Sequence, residues 1–317
     1  MGPGEHETDS ARRARIDVAV RAHEPLGNCA HSLGDAFVPR LAVFSIGLWS
    51  AHRIAISREG SRMATRFDLS GRTALITGAA RGLGRAIALA FAEAGANVAL
   101  GLRDMTRDEG LAEEIRSHGS RVLPLQMDVG LLDQIRAAVA ATVDEFGTLD
   151  LLVNNAGGGA GHVPAEEISL EAFQQTLDVN LRGTFFACQA AFAPMREQRF
   201  GRIVNVSSQA GLVALPGEAV YCMTKAAVSH LTRCLAVEWG RYGINANSVA
   251  PTYIRTPGTE RSLSDPIFKA EVEERIAALH RIGEPDEVAG AVVFLCSPAA
   301  SLITGETLVI DGGWTIR

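Results

Sequence analysis

Tyr221 stands four residues before Lys225 in a chain of 317 residues that holds three tyrosines and two lysines. Chance would give that spacing about 0.02 times. On a helix the two positions share one face, and an ammonium beside a phenol favours the phenolate, lowering a pKa of about 10. A tyrosine so placed exchanges a proton near neutral pH. The plain alternative is an amphipathic helix with a half-buried tyrosine and a surface lysine. Upstream, Ser208 ends the run RIVNVSS, at the C-terminal end of an expected strand where open α/β sheets place ligands. Its hydroxyl can hydrogen-bond a substrate oxygen. Ser207 competes for that role, and serine at a strand end is also an ordinary turn former.

A second set of residues fits a phosphate. The segment TGAARGLG, Thr77 to Gly84, follows an aliphatic run and opens an apolar helix, with glycines at Gly78, Gly82 and Gly84. Glycine lets a backbone turn sharply and approach a pyrophosphate, and a helix N-terminus offers free N–H groups there. Its G-x-x-x-G-x-G spacing departs from the most familiar dinucleotide fingerprint, and tight turns also use glycine. Two more features belong to the same edge of the sheet: NNAGGG from Asn154, and Asn180 within a long helical stretch. Asparagine in a helix interior is mildly unfavourable and ordinarily sits on a solvated face.

These residues need a scaffold, and from Met63 onward short aliphatic runs alternate with longer amphipathic stretches, as in βαβ units on a parallel sheet. Strands are expected at Thr73 to Thr77, Asn97 to Leu102, Arg121 to Met127, Leu149 to Val153, Arg202 to Val206, Ile244 to Val249 and Thr307 to Ile310. Helices are expected at Gly82 to Ala94, Leu131 to Phe146, Phe173 to Glu197 and Ala219 to Gly240. The fold class that follows is a single doubly wound, Rossmann-type α/β domain over 63–317 with a seven-stranded parallel sheet. Within it, Gly258 to Arg281 reads as a mobile, charged lid. Residues 1–62 carry eight arginines, no lysine and seven acids without period, and read as a poorly ordered extension or an over-extended start with Met63 as the alternative.

The net charge of −6 argues against a nucleic-acid partner. The apolar run Leu41 to Trp49 is too short to span a membrane, so a cytoplasmic location is expected. Five cysteines without C-x-x-C spacing suggest neither a disulfide framework nor a zinc site.

Taken together, TGAARGLG, NNAG, Asn180, Ser208 and the Tyr221/Lys225 pair resemble the short-chain dehydrogenase/reductase family from about residue 67 to the C-terminus. The resemblance implies hydride transfer between a nicotinamide cofactor and a secondary alcohol or ketone, with no metal. Tyr221 would be the catalytic acid/base, Ser208 the carbonyl-polarising hydroxyl, Lys225 the tyrosine activator and ribose ligand, and Asn180 the anchor of a relay water. Cofactor contacts would come from Gly78, Arg81, Gly82, Leu83 and Gly84 in the turn, and from Arg103 after the second strand. Asp128 and Val129 would meet the adenine end, and Asn155, Ala156 and Gly157 would line the middle. Pro251, Ile254 and Thr256 would flank the nicotinamide, in a loop where Thr252 replaces the family's common glycine.

Family relatives include 3-oxoacyl-carrier-protein reductases and sugar or polyol dehydrogenases, whose C-terminal ITGETLVIDGG this chain shares in form. A sugar, polyol or aldonate substrate is the leading expectation and a 3-oxoacyl thioester the alternative, the latter with Arg196 and Arg199 toward an acidic carrier. His162, Gln209 and Glu218 hint at a polar substrate. A non-catalytic nucleotide sensor is the remote alternative. At the end of the second strand, Leu102 and Arg103 stand where an NAD-binding acid would fall. With Arg81 close by, NADP(H) is favoured over NAD(H), although Asp104 could pair with Arg103 or take the ribose itself. Phe185, Phe186, Phe192, Leu231, Leu235 and Trp239 put apolar groups on more than one helix face, which suggests a homotetramer.

Overall fold

A computed structural model describes residues 66–107, 110–159 and 161–316. Seven strands alternate with helices: β1 Thr73–Thr77, α1 Gly82–Glu93, β2 Asn97–Leu102, α2 Leu111–Ser117, β3 Val122–Gln126, α3 Leu132–Phe146 and β4 Leu151–Asn154. Then follow α4 Leu170–Leu177, α5 Thr184–Glu197, β5 Gly201–Val206, α6 Ala219–Trp239 and β6 Ile244–Pro251. The chain closes with α7 Glu260–Leu263, α8 Pro266–Arg275, α9 Pro285–Cys296 and β7 Thr307–Ile310. All pairings are parallel, in the order β3-β2-β1-β4-β5-β6-β7. The order reverses between β1 and β4, the point where doubly wound sheets bind ligands.

Alternation along each strand feeds two cores. Ala74 and Ile76 of β1 join α1 and α9 through Ile87, Phe91, Val288 and Val292, while Leu75 joins α3 and α5 through Ile135, Ala187 and Met195 on the other face. Both faces are therefore covered by helices, which explains why the strands read as aliphatic runs rather than as alternating patterns.

One expected element differs. Phe173 to Glu197 is not a single helix: α4 and α5 are joined by a π turn at Asp178–Gly183 that holds Asn180. The turn buries Asn180 to 1% exposure, against the solvated position that asparagine ordinarily takes. The Asn180 carbonyl accepts from the Thr184 hydroxyl at 2.8 Å. A local widening of this kind inside a helix frequently marks a functional position.

The stretch from Gly258 to Arg281 forms α7 and α8 over a small third core of Leu263, Val272, Ile276, Ile282 and Trp314. Phe192 and Trp239 stack at 4.7 Å and Leu235 is buried, so these three serve the chain's own packing; Phe185 remains 41% exposed. Ser61–Arg317 forms one compact unit. The expectations for residues 1–62 and Met63 lie outside the described residues.

Candidate active site

The C-terminal ends of β1, β4, β5 and β6 open onto a cavity of about 440 Å3. Its floor is set by backbone packing at the glycine turn. Gly78 and Gly82 take φ values of +65° and +56°, a conformation that disfavours side chains. Gly84 is required by proximity: a Cβ there would lie 2.3 Å from the Gly78 carbonyl oxygen and 2.5 Å from Asn155 Nδ2. Asn155 ties the loop after β4 to this turn by donating to the carbonyls of Thr77 and Gly78 at 3.0 and 3.1 Å. The backbone N–H groups of Asn155 and Ala156 donate to Thr77 Oγ1, each at 3.0 Å. The result is a smooth cradle at the N-terminus of α1, the shape and polarity that a pyrophosphate needs.

The predicted chemical groups converge. Ser208, Tyr221 and Lys225 all line the cavity, as do Leu83, Asn155, Gly157, Pro251, Ile254 and Thr256. Asn180 backs it: Oδ1 accepts from Gly158 N at 2.9 Å, and Nδ2 donates to the Gly158 carbonyl and Thr224 Oγ1 at 2.8 and 3.0 Å. This clamps the loop after β4 against α6. The two serines differ in their partners. Ser207 Oγ lies 2.9 Å from the Lys225 carbonyl and 2.8 Å from Ser229 Oγ, binding β5 to α6. Ser208 Oγ donates to Gln209 Oε1 at 2.7 Å. The Ser208 hydroxyl also influences Tyr221.

In the free protein the tyrosine does not titrate near neutrality. Burial pushes the Tyr221 phenol up to about 12, with the Ser208 hydroxyl opposing the rise and the Glu218 carboxylate adding to it. The expected lowering by Lys225 is not seen among the influences on the phenol. Lys225 is itself pushed down to about 8 by burial; Nζ lies 5.6 Å from the Tyr221 ring centroid and donates to the Val206 carbonyl at 2.7 Å.

A buried ammonium without a carboxylate partner is a stability cost. The folded value of about 8 lies below the ordinary 10.5, so between those pH values the unfolded chain binds more protons and native stability rises with pH. The cost is complete below pH 8. Lys225→Met is therefore expected to stabilise the fold at pH 7 by on the order of 1–3 kcal/mol, with the gap closing above pH 10.5. Urea unfolding of both proteins at pH 7 and pH 11 checks this, and coincident midpoints at pH 7 would contradict it.

The remaining predicted contacts lie outside the cavity lining. Arg81 precedes α1 and Arg103 follows β2; both are exposed and neither has a carboxylate partner among the described residues. The neighbouring Arg85, by contrast, pairs with Glu114. Asp104 pairs not with Arg103 but with Arg107 at 3.2 Å, and it accepts from the Thr106 hydroxyl at 2.7 Å. Asp128 holds its own turn by accepting from Gly130 N at 2.9 Å, and Val129 packs against Gly183 of the π turn. Thr256 lies against Gly82. Thr252 takes no positive φ, and its N–H continues the ladder to the Ile310 carbonyl at 3.1 Å.

His162, Gln209 and Glu218, the three residues that hint at a polar substrate, belong to the cavity's outer wall, whereas Tyr253 and the space beyond it were not foreseen. Gln209 is buried, Glu218 and His162 line the same space, and Tyr253 connects it to a chamber of about 290 Å3 walled by Phe268, Val272 and Trp314. Arg196 and Arg199 line neither space. No helix among the described residues is long and apolar enough to cross a membrane.

This arrangement has close counterparts. Residues 78–315 match a family model described as enoyl-(acyl carrier protein) reductase. A D-threitol dehydrogenase of Mycolicibacterium smegmatis is 41% identical over 251 residues, covering 79% of this chain and 95% of the relative. An NAD-dependent glycerol dehydrogenase of Listeria innocua is 38% identical, covering 79% and 96%. A solved gluconate 5-dehydrogenase from Burkholderia cenocepacia, in complex with NADP and tartrate, superposes with a TM-score of 0.76 at 37% identity, covering 80% and 99%. With fold, cradle and relatives in agreement along the same span, the chain belongs to the short-chain dehydrogenase/reductase family and is an oxidoreductase.

Proposed function

We propose that the protein interconverts a secondary alcohol and its ketone on a small polyol or sugar-like substrate, with NADP(H) as cofactor and Tyr221 as the proton donor and acceptor. The observation that carries this is the convergence of Ser208, Tyr221 and Lys225 on one cavity beside a cradle that a Cβ at Gly84 would fill. The residues fit a dinucleotide: Gly78, Gly82 and Gly84 would make room for the pyrophosphate, Asn155 and Gly157 would line the middle, and Pro251, Ile254 and Thr256 would flank the nicotinamide. When bound, the nicotinamide supplies or accepts the hydride.

The chain does the rest. Ser208 exchanges its bond to Gln209 for one to the substrate oxygen and positions it. Tyr221, protonated at neutral pH by burial, presents a proton to that oxygen in the reductive direction and takes it back in the oxidative one. Lys225, buried beside the ring, stabilises the phenolate that reduction leaves. Asn180 holds the loop after β4 at the distance the site needs. A resting phenol favours reduction near neutral pH, with oxidation gaining as pH rises.

For the cofactor, two unpaired arginines favour a 2′-phosphate, and the gluconate 5-dehydrogenase structure is described with NADP. Against this, the glycerol dehydrogenase is named as NAD-dependent. Arg81→Ala and Arg103→Ala are each expected to reduce kcat/KM for NADP by about tenfold or more while changing that for NAD by less than about threefold. Initial rates at 340 nm with both cofactors, on a panel of polyols, aldonates and a 3-oxoacyl thioester, test cofactor and substrate class together. A wild type that prefers NAD would defeat the cofactor assignment, and one that turns over the thioester alone would defeat the polyol assignment.

We further propose a homo-oligomer in the cytoplasm. Phe185 and the 85%-exposed Val237 leave apolar surface on α5 and α6, and the four cysteines among the described residues are free, which suits a reducing compartment.

A further inference from the structure

Glu218 precedes α6 at its N-cap, where a side chain ordinarily turns back onto the helix, yet its carboxylate makes no cap. It lines the cavity instead. Its Oε2 lies 3.0 Å from where a Cβ on Gly159 would sit, and the Tyr221 ring lies 3.6 Å from the same point. Carboxylate and phenol ring thus flank one glycine. No donor holds the carboxylate among the described residues. Burial raises its pKa, and His162 is the one charge that opposes the rise.

Among the cavity's other polar groups, Thr252 Oγ1 also lacks a partner among the described residues, but it is a neutral hydroxyl. The cavity's single lysine donates to the Val206 carbonyl, and no arginine lines it. Arg275 belongs to the adjoining chamber, with its guanidinium 5.9 Å from the Trp314 ring centroid. Gln209 Oε1 already accepts from Ser208, which leaves its amide N–H groups as donors.

An ionised carboxylate only accepts hydrogen bonds, and a hydroxyl donating to it forms a charge-assisted one. A second carboxylate in the same half-dry space would instead meet a like charge. We infer that Glu218 is a specificity-determining residue that accepts a hydrogen bond from a second hydroxyl of the substrate, so that the site takes an uncharged vicinal polyol in preference to a monoalcohol or an aldonate of equal length. This rests on the reading of Ser208 and Tyr221 as the site of the reacting hydroxyl.

The test compares threitol, butan-2-ol and threonate with the full-length enzyme and its cofactor, for wild type and Glu218→Gln. Wild type is expected to favour threitol over both others by about tenfold or more in kcat/KM. In Glu218→Gln the threitol-to-butan-2-ol ratio is expected to fall by roughly fivefold or more, mainly through KM, and threonate is expected to gain on threitol. Calorimetry gives a second readout that survives loss of turnover: the Kd of threitol for the enzyme–cofactor complex is expected to weaken by about tenfold. A wild type that ignores threitol or prefers threonate, or a substitution that shifts neither ratio nor Kd, overturns the inference. If Tyr221→Phe retained full turnover while the Kd shift in Glu218→Gln held, the proton-transfer reading would fall and the role of Glu218 would stand.

Discussion

Tyr221→Phe is expected to lower kcat by about 10²–10⁴-fold, the range a positioned proton donor contributes, while the Kd for NADP changes by less than about twofold. The ring is partly buried and its shape is retained, so the variant keeps the packing around Gly159 and α6. Near neutral pH the phenol is uncharged in both the folded and the unfolded chain, so its loss carries no ionisation term and the melting temperature should change little. Turnover by absorbance and cofactor binding by fluorescence separate the two effects. A variant with near-wild-type kcat would show that the proton comes from elsewhere in the cavity.

Gly84→Ala is the second large effect, and it acts through backbone. The added methyl would meet the Gly78 carbonyl at 2.3 Å, which cannot rotate away because Asn155 holds the carbonyls of Thr77 and Gly78. The first turn of α1 must lift from the sheet, at a stability cost of about 1–3 kcal/mol and a loss of NADP affinity of about 10²-fold from misplaced N–H groups. Gly290 in α9 is the control, since nothing lies within 4 Å of a Cβ there. Gly290→Ala is expected to bind NADP normally and to gain up to about 1 kcal/mol from helix propensity. Equal behaviour of the two variants in calorimetry and urea unfolding would contradict the cradle's geometry.

Period and punctuation made most of the frame legible. The seven expected strands recur, three with the expected bounds and four with ends displaced by one or two residues, because aliphatic runs bounded by glycine and polar turns record burial on both faces. The glycine turn and the Tyr221/Lys225 spacing were readable for a similar reason, since each is a local pattern. What could not be read is non-local. Asn180 was ambiguous because its partners, Gly158 and Thr224, come from a loop and a helix distant in sequence, and the π turn that aims it leaves no mark on apolar periodicity. Ser207 and Ser208 are neighbours of one type, and only Ser229 and Gln209 tell them apart. The upward push on the Tyr221 phenol was not legible, because a spacing rule registers the lysine but not the burial of the ring. Adjacency left Asp104 open to pairing with Arg103 or to taking the ribose, whereas a turn through Thr106 brings Arg107 to the carboxylate.

The most direct test of the central claim follows the transferred hydrogen. Threitol deuterated at its carbinol carbons, oxidised by the wild-type enzyme with NADP, should yield reduced cofactor that carries one deuterium by mass spectrometry, together with a ketose product. Recovery of unlabelled reduced cofactor, or product formed with no absorbance gain at 340 nm, would contradict direct hydride transfer at this site.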